Sequence, residues 1–519
     1  MSEPGTLDRL EAVRWHPWTA ESFARAASEQ KPILLALTTS WSEECAAMDR
    51  TSYASSEVRA RINARFIAIR VDADRRPDVS ERYSLGGWPT TAFLTPDGAM
   101  LGGGTYLDPE RMPSVLDQVT DAWWQRRDEI VARRQASLAN RLTPARPGDP
   151  DANAASHLRS LMLEKFDGEH GGFDNTPKFP HAPSLMLALS LNAEEADPSL
   201  DEIIRLSLDG VATLWDPVEG GFFRYAKAVD WTRPGTEKLL EDNGALLRLH
   251  LDAAVQLEDA ECRNRAAALV RWVKASLLDE TDGGFFNGQA ADTRYYGLQS
   301  LEQRRKGPAP AVDRTLYVDR NAEMASGFLR AAELFSDPWL LEVAIKSLER
   351  VVLGGYSPGQ GVVHVIDEEG SVRGLLGDQL KAASALLWAH AATGRLPYTM
   401  LAAELAQYAI RQMWDEERGA FADREIEQEQ TSQGLLRERV WPFTLNCEAA
   451  CLLERLTQVT GDTSYHDRAL AILRAFAREY QRHGLFGTPY ALAIREVLHG
   501  RGPVGLNLSR VDWKLGESD

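Results

Sequence analysis

Hydrophobic and polar positions follow two regimes along this chain. Over roughly the first 140 residues, helical and strand periods alternate, the habit of an α/β domain. "TAESFARAASEQK" carries an apolar face at helical spacing, and "PILLALTTS" reads as a buried strand. Cys45 lies near the start of the next helix, "SSEVRARINA" is a further helical stretch, and "RFIAIRVDAD" is a second strand. "GWPTTAFLTPDGAMLGGGTYLD" predicts two strands joined at Pro96-Asp97-Gly98, a turn composition that reverses the chain. A long helix from "DPERMPSVLDQ" to "LANRL" closes the unit, and the prolines of "TPARPGDP" break the pattern. An α/β unit is therefore expected at residues 1–142 and a second unit at 150–519.

Beyond the break no strand-rich stretch recurs. Amphipathic, charged helices are predicted near 151–165, 200–215, 262–279, 337–352, 398–415 and 464–482. They alternate with stretches that are apolar or small nearly all round: "SLMLALSLNA", "GALLRLHLDAAVQL", "NAEMASGFLRAAELF", "DQLKAASALLWAHAATG", "FTLNCEAACLLERL" and "TPYALAIREVL". A helix apolar on every side is buried, and a one-faced helix lies outside. Each outer helix runs into a glycine turn, usually with an aromatic, as in "DGEHGGFDN", "DPVEGGFFRY", "DETDGGFFNG" and "DEERGAFADR". The third turn carries an insert at 289–318. Six such hairpins, of about 50–75 residues each, close into an (α/α)6 toroid. Inner helices then begin beside the glycine turns, so a pocket is expected at that rim.

Composition narrows the partners. A net charge of −18 argues against phosphate backbones and anionic membranes, and no basic cluster with interleaved aromatics suggests nucleic acid. No apolar run is long enough to span a membrane and no signal segment is seen, so a cytoplasmic location is expected. Oligomeric state is left open. The four cysteines are Cys45, Cys262, Cys447 and Cys451, too few for a disulfide scaffold. Cys447 and Cys451 share a helix face without a nearby His and read as buried small residues. Neither a metal nor a cofactor is expected.

A strand, a turn with Cys and then a helix is how thiol–disulfide enzymes present their sulfurs. Here Ser42 occupies the leading position and Cys45 the second, with Glu43 and Glu44 between. An internal disulfide is impossible, and the glutamates disfavour a thiolate. Pro89, after Trp88, suits a cis peptide at the entry to a strand facing that loop.

Polar residues gather where inner helices begin. "TEKLLEDNGALL" offers Glu237, Lys238, Asp242 and Asn243, with Lys238 and Asp242 four apart as if on one helix face. "YVDRNAEMA" offers Tyr317, Asp319, Arg320 and Asn321; "LLGDQLKAA" offers Asp378 and Gln379; "TPKFPHAPSL" offers Lys178 and His181. Asp319 or Asp378 also suits a helix cap. "GGFFRYAKAVDW" adds Arg224 and Tyr225 among aromatics. Aromatic faces with convergent carboxylates and amides suit a sugar ring, and sugar chemistry needs paired titratable groups. Asp242, Glu237, Lys238, Asp319, Asp378 and His181 are the catalytic candidates. Lys178, Arg224, Tyr225, Asn243, Asn321 and Gln379 are the binding candidates.

Taken together, "KPILLALTTSWSEECAAMDRTSY", "GGWPTTAFLTPDG", "HGGFDNTPKFPHAPSL" and "EKLLEDNGALL" resemble the spermatogenesis-associated, thioredoxin-domain-containing proteins. The resemblance implies a thioredoxin-like domain followed by a six-hairpin toroid, similar to those of N-acylglucosamine 2-epimerases and six-hairpin glycosidases. It implies a carbohydrate-related role, as epimerase, isomerase or glycosidase. That family's Cys-His-Trp-Cys-His motif stands here as Ser42, Glu43, Glu44, Cys45 and Ala46, so a redox-inactive domain is expected. Toroid epimerases use histidines, which adds His250, His364 and His390 to His181. Two alternatives stay open: a thiol-dependent oxidoreductase or chaperone using Cys45, and a non-catalytic binding protein.

Overall fold

A computed structural model describes residues 12–139, 147–173, 176–366, 371–429 and 431–508, with the side chains of 128 and 130–139 outside the description. Two compact units result: Met1–Pro144 with Ile426–Arg439, and Ala145–Glu425 with Val440–Asp519. Part of the proline-bearing boundary, 140–146, lies outside the described residues.

In the first unit the strands are β1 (Trp15–His16), β2 (Ile33–Thr38), β3 (Ile67–Asp72), β4 (Thr90–Leu94) and β5 (Met100–Gly104). Their order is β1-β3-β2-β4-β5, with β1, β3 and β2 parallel and β4 and β5 antiparallel. The period-2 alternation of β2 feeds two cores. Leu34 and Ala36 join Met48, Ile62 and Phe93, while Ile33, Leu35 and Leu37 join Phe23, Val79 and Tyr83. The covering helices are α1 (Ala20–Glu29), α2 (Glu43–Arg50), α3 (Ser56–Arg65), α4 (Pro77–Tyr83) and α5 (Met112–Ala139).

The segment Ile426–Arg439 was not expected here. Leu436 enters the core beside Tyr83, the Leu435 N–H donates to Tyr83 Oη at 2.7 Å, and Arg82 donates to the Leu435 and Glu438 carbonyls. Two short 3₁₀ turns form it, too brief to leave a period in the sequence.

In the second unit the one-faced helices are α6 (Ala154–Lys165), α8 (Pro198–Ala212), α10 (Ala260–Ser276), α12 (Pro338–Gly355), α14 (Leu396–Met413) and α16 (Thr463–Phe476). The buried helices are α7 (Ala182–Glu194), α9 (Leu240–Gln256), α11 (Val318–Phe335), α13 (Leu376–Thr393), α15 (Phe443–Thr460) and α17 (Thr488–His499). Each buried helix packs on the next, and α17 returns to α7, so the inner ring closes. This is the expected (α/α)6 toroid. None of the described helices is long and apolar enough to cross a membrane.

Candidate functional site

Many polar residues at the helix starts belong to a repeated clasp. In the second glycine turn Gly220 and Gly221 both take positive φ, and a Cβ on Gly221 would lie 2.5 Å from the Trp272 ring. Asn243 then brackets the next residue: its Oδ1 accepts from Phe222 N at 2.8 Å, and its Nδ2 donates to the Phe222 and Leu239 carbonyls. Asn321 does the same to Phe285 and Tyr317, Gln379 to Val362 and Leu375, and Asn446 to Phe421 and Pro442. Both amide protons of Asn243, Asn321 and Gln379 are thus engaged within the fold rather than offered to a ligand.

The two lysines complete the clasp. Lys178 donates to Asp167 Oδ2 and to the Gly171 carbonyl, and Lys238 donates to Asp216 Oδ2 at 2.7 Å and to the Gly220 carbonyl at 2.6 Å. Despite some burial, Lys178 and the His170 and Glu169 N–H groups hold Asp167 down to about 2. Lys238 does not share a helix face with Asp242, because α9 begins only at Leu240, with Leu239 as its cap. The insert explains itself here too: Arg304 reaches back to donate to both Asp216 oxygens, at 2.6 and 3.0 Å.

Other rim groups are left facing one another. Asp242 stands in the first turn of α9. Arg224 places Nε 3.9 Å from Asp242 Oδ2 and Nη1 3.6 Å from Glu237 Oε1. The Arg224 guanidinium also lies over the rings of Phe179 and Tyr225, which stack at 5.1 Å and 16°. Asp242 Oδ2 has no hydrogen-bond partner. Burial pushes this carboxyl up to about 7; Arg224 opposes the rise, while Glu241 and Glu237 add to it.

Across the rim, Asp319 and Asp378 lie inside the first turns of α11 and α13 rather than capping them; Tyr317 and Leu375 hold the cap positions. His364 Nδ1 is 2.9 Å from Asp378 Oδ1. The remaining histidines serve elsewhere. His250 bonds the Leu246 carbonyl and is pushed down to about 4 by burial, and His390 Nδ1 meets the Arg395 carbonyl. His181 precedes α7 in a left-handed conformation, its ring between Phe173 and Phe486.

Within the ring of inner helices lies a cavity of about 310 Å³. Glu323 follows Asp319 by four residues and Lys381 follows Asp378 by three, about one turn, so Asp319 and Asp378 stand one turn above this lining, whereas Asp242, Glu237 and Arg224 are not part of it. Arg248 lies over the Trp388 ring at 4.6 Å, Lys381 bonds Glu448 at 2.9 Å, and Arg455 holds both Glu496 oxygens at 2.6 and 2.8 Å. Arg248 Nε and Glu448 Oε2 make no hydrogen bond. These lining residues were not singled out from sequence. Their signal was present: Glu448, Cys451 and Arg455 recur at three- and four-residue spacing along α15. Burial pushes the Cys447 and Cys451 thiols well up.

At the cysteine loop, Ser42 caps α2 by accepting from Cys45 N at 3.2 Å. Cys45 is 3% exposed, and burial raises its thiol. The Trp88–Pro89 peptide is cis, as expected.

Residues 7–143 match the family model Thioredox_DsbH, described as a protein of unknown function, DUF255. Spermatogenesis-associated protein 20 of Homo sapiens is 29% identical over 313 residues, 54% of this chain and 39% of that protein. An uncharacterised Caenorhabditis elegans protein is 29% identical over 304 residues, 54% of this chain and 42% of its own length. The match therefore spans less than half the length of these relatives. Among solved structures, cellobiose 2-epimerase from Spirochaeta thermophila has a TM-score of 0.53 at 16% identity, covering 67% of this chain and 95% of that one. A GH76 α-mannanase of Bacteroides thetaiotaomicron has 0.50 at 10% identity, covering 67% and 95%. The first unit thus matches a thioredoxin-like family model, the chain is similar over 54% of its length to spermatogenesis-associated protein 20, and the second unit has the toroid fold seen in sugar epimerases and a glycosidase.

Proposed function

We propose that the toroid is a carbohydrate-processing enzyme in which Asp242 transfers the proton and the thioredoxin-like domain has no redox role. The observation that carries this is one carboxyl: Asp242, pushed up to about 7 by burial, with an Oδ2 that has no hydrogen bond and a stacked aromatic pair near the Arg224 guanidinium that faces it. A catalytic acid works best when its pKa lies near the working pH. The Phe179 and Tyr225 rings suit the C–H face of a sugar, Arg224 suits its hydroxyls, and Glu237 is the second carboxylate. Hydrolysis and epimerisation both need this acid and differ in product: epimerisation conserves mass, hydrolysis adds water.

The test is a thermal-shift screen of mono- and disaccharides on the full chain and on Asp242→Asn. A sugar present at ~100 times its Kd adds about 2.7 kcal/mol of stability. A shift with at least one sugar, altered in Asp242→Asn, supports the reading. No shift with any sugar up to its solubility removes it.

A further inference from the structure

Three residues from three separate segments meet at the rim: Asp319 in α11, His364 in the loop after α12, and Asp378 in α13. Each offers one ligand atom, and these atoms lie within 4.8 Å of one another. We propose that Asp319, His364 and Asp378 bind a divalent first-row transition metal, Zn²⁺ or Mn²⁺.

Three observations carry the proposal. The first is an orphaned oxygen. Asp378 is 1% exposed, its Oδ1 faces His364 Nδ1, and its Oδ2 has no hydrogen-bond partner. Leaving a buried carboxylate oxygen unsatisfied is costly, and a cation removes that cost. The second is uncompensated charge. Among the described residues no Lys or Arg forms an ion pair with Asp319 or Asp378; the neighbouring Arg320 turns instead to Glu241, at 3.7 Å, and to Asn287. The third is support. Val318 N donates to the His364 carbonyl at 2.9 Å and His364 N to the Val372 carbonyl at 2.8 Å, which ties the loop to the start of α11. The other two ligands sit on helices, so all three are held by ordered backbone.

The donor set names the metal class. Imidazole with two carboxylates suits Zn²⁺ or Mn²⁺, whereas Ca²⁺ and Mg²⁺ favour oxygen alone. Three protein ligands also leave positions for water or substrate. This site does not depend on the sugar reading, and either can fail without the other.

The experiment uses the full chain, stripped with EDTA, dialysed and titrated with ZnCl₂, MnCl₂ and MgCl₂ by calorimetry. Co²⁺ absorption serves as a second probe of ligand type. The expected result is one equivalent of Zn²⁺ or Mn²⁺ bound in preference to Mg²⁺, with affinity lowered at least tenfold in both Asp378→Asn and His364→Gln. Asp319→Asn, at the less buried ligand, provides the same test should either of those variants fail to fold by circular dichroism. No stoichiometric binding by the native chain overturns the proposal, as does binding unchanged in the folded variants.

Discussion

The starts of α2 and α9 each carry a side chain of catalytic type, and they are built in opposite ways. At α2, Ser42 Oγ is committed to the Cys45 N–H, and burial raises the thiol away from its reactive form. At α9, Asp242 keeps an oxygen without a hydrogen bond, and burial pushes its carboxyl up to about 7. A helix N-terminus favours an anion at both, so position alone does not separate them. What separates them is spare hydrogen-bonding capacity in a group tuned to working pH. The same contrast runs within the motif "TEKLLEDNG", where Lys238 and Asn243 are consumed by the clasp and Asp242 is not.

The largest expected effect breaks the comparison directly. Asp242→Asn lowers sugar turnover by about 10²–10⁴-fold, whereas Cys45→Ala leaves it within about twofold; steady-state rates on the substrate found by the screen check both. Next comes the clasp. Asp216→Ala leaves the buried Lys238 without its carboxylate and Arg304 with Glu219 alone, and removing one partner of a buried ion pair costs about 3–5 kcal/mol. Urea unfolding measures this loss.

A smaller effect is a pH slope. The folded value of Asp242 lies above that of the unfolded chain, so the folded state binds the proton more tightly. Its contribution to stability is greatest below the unfolded value of about 4 and declines as pH rises towards 7. Unfolding curves from pH 4 to 8 should therefore show a flatter decline in Asp242→Asn than in the native protein. The smallest effect is none: insulin reduction by dithiothreitol should proceed equally with native protein and Cys45→Ala.

The toroid was legible because its signal repeats. Glycine turns and alternating helix types recur six times, and no single ambiguity disturbs the pattern. The rim at Asp242, Glu237, Arg224 and Tyr225 was legible by position. Lys178, Asn243, Asn321 and Gln379 occupy equally suggestive positions, yet their hydrogen bonds fasten the turns; sequence does not show which way a polar side chain is spent. His364 was weakest in sequence, coming from a loop fourteen residues before its partner Asp378. The Ile426–Arg439 segment gave no warning, because short 3₁₀ turns leave no hydrophobic period.

The most direct test is a carboxyl titration of Asp242 itself. With ¹³C-labelled aspartate, the account predicts one side-chain carboxyl resonance titrating at about 7 that is missing from Asp242→Asn. A spectrum in which no resonance is lost near that value on substitution, with Asp242 titrating below about 5 like an ordinary carboxylate, would contradict it.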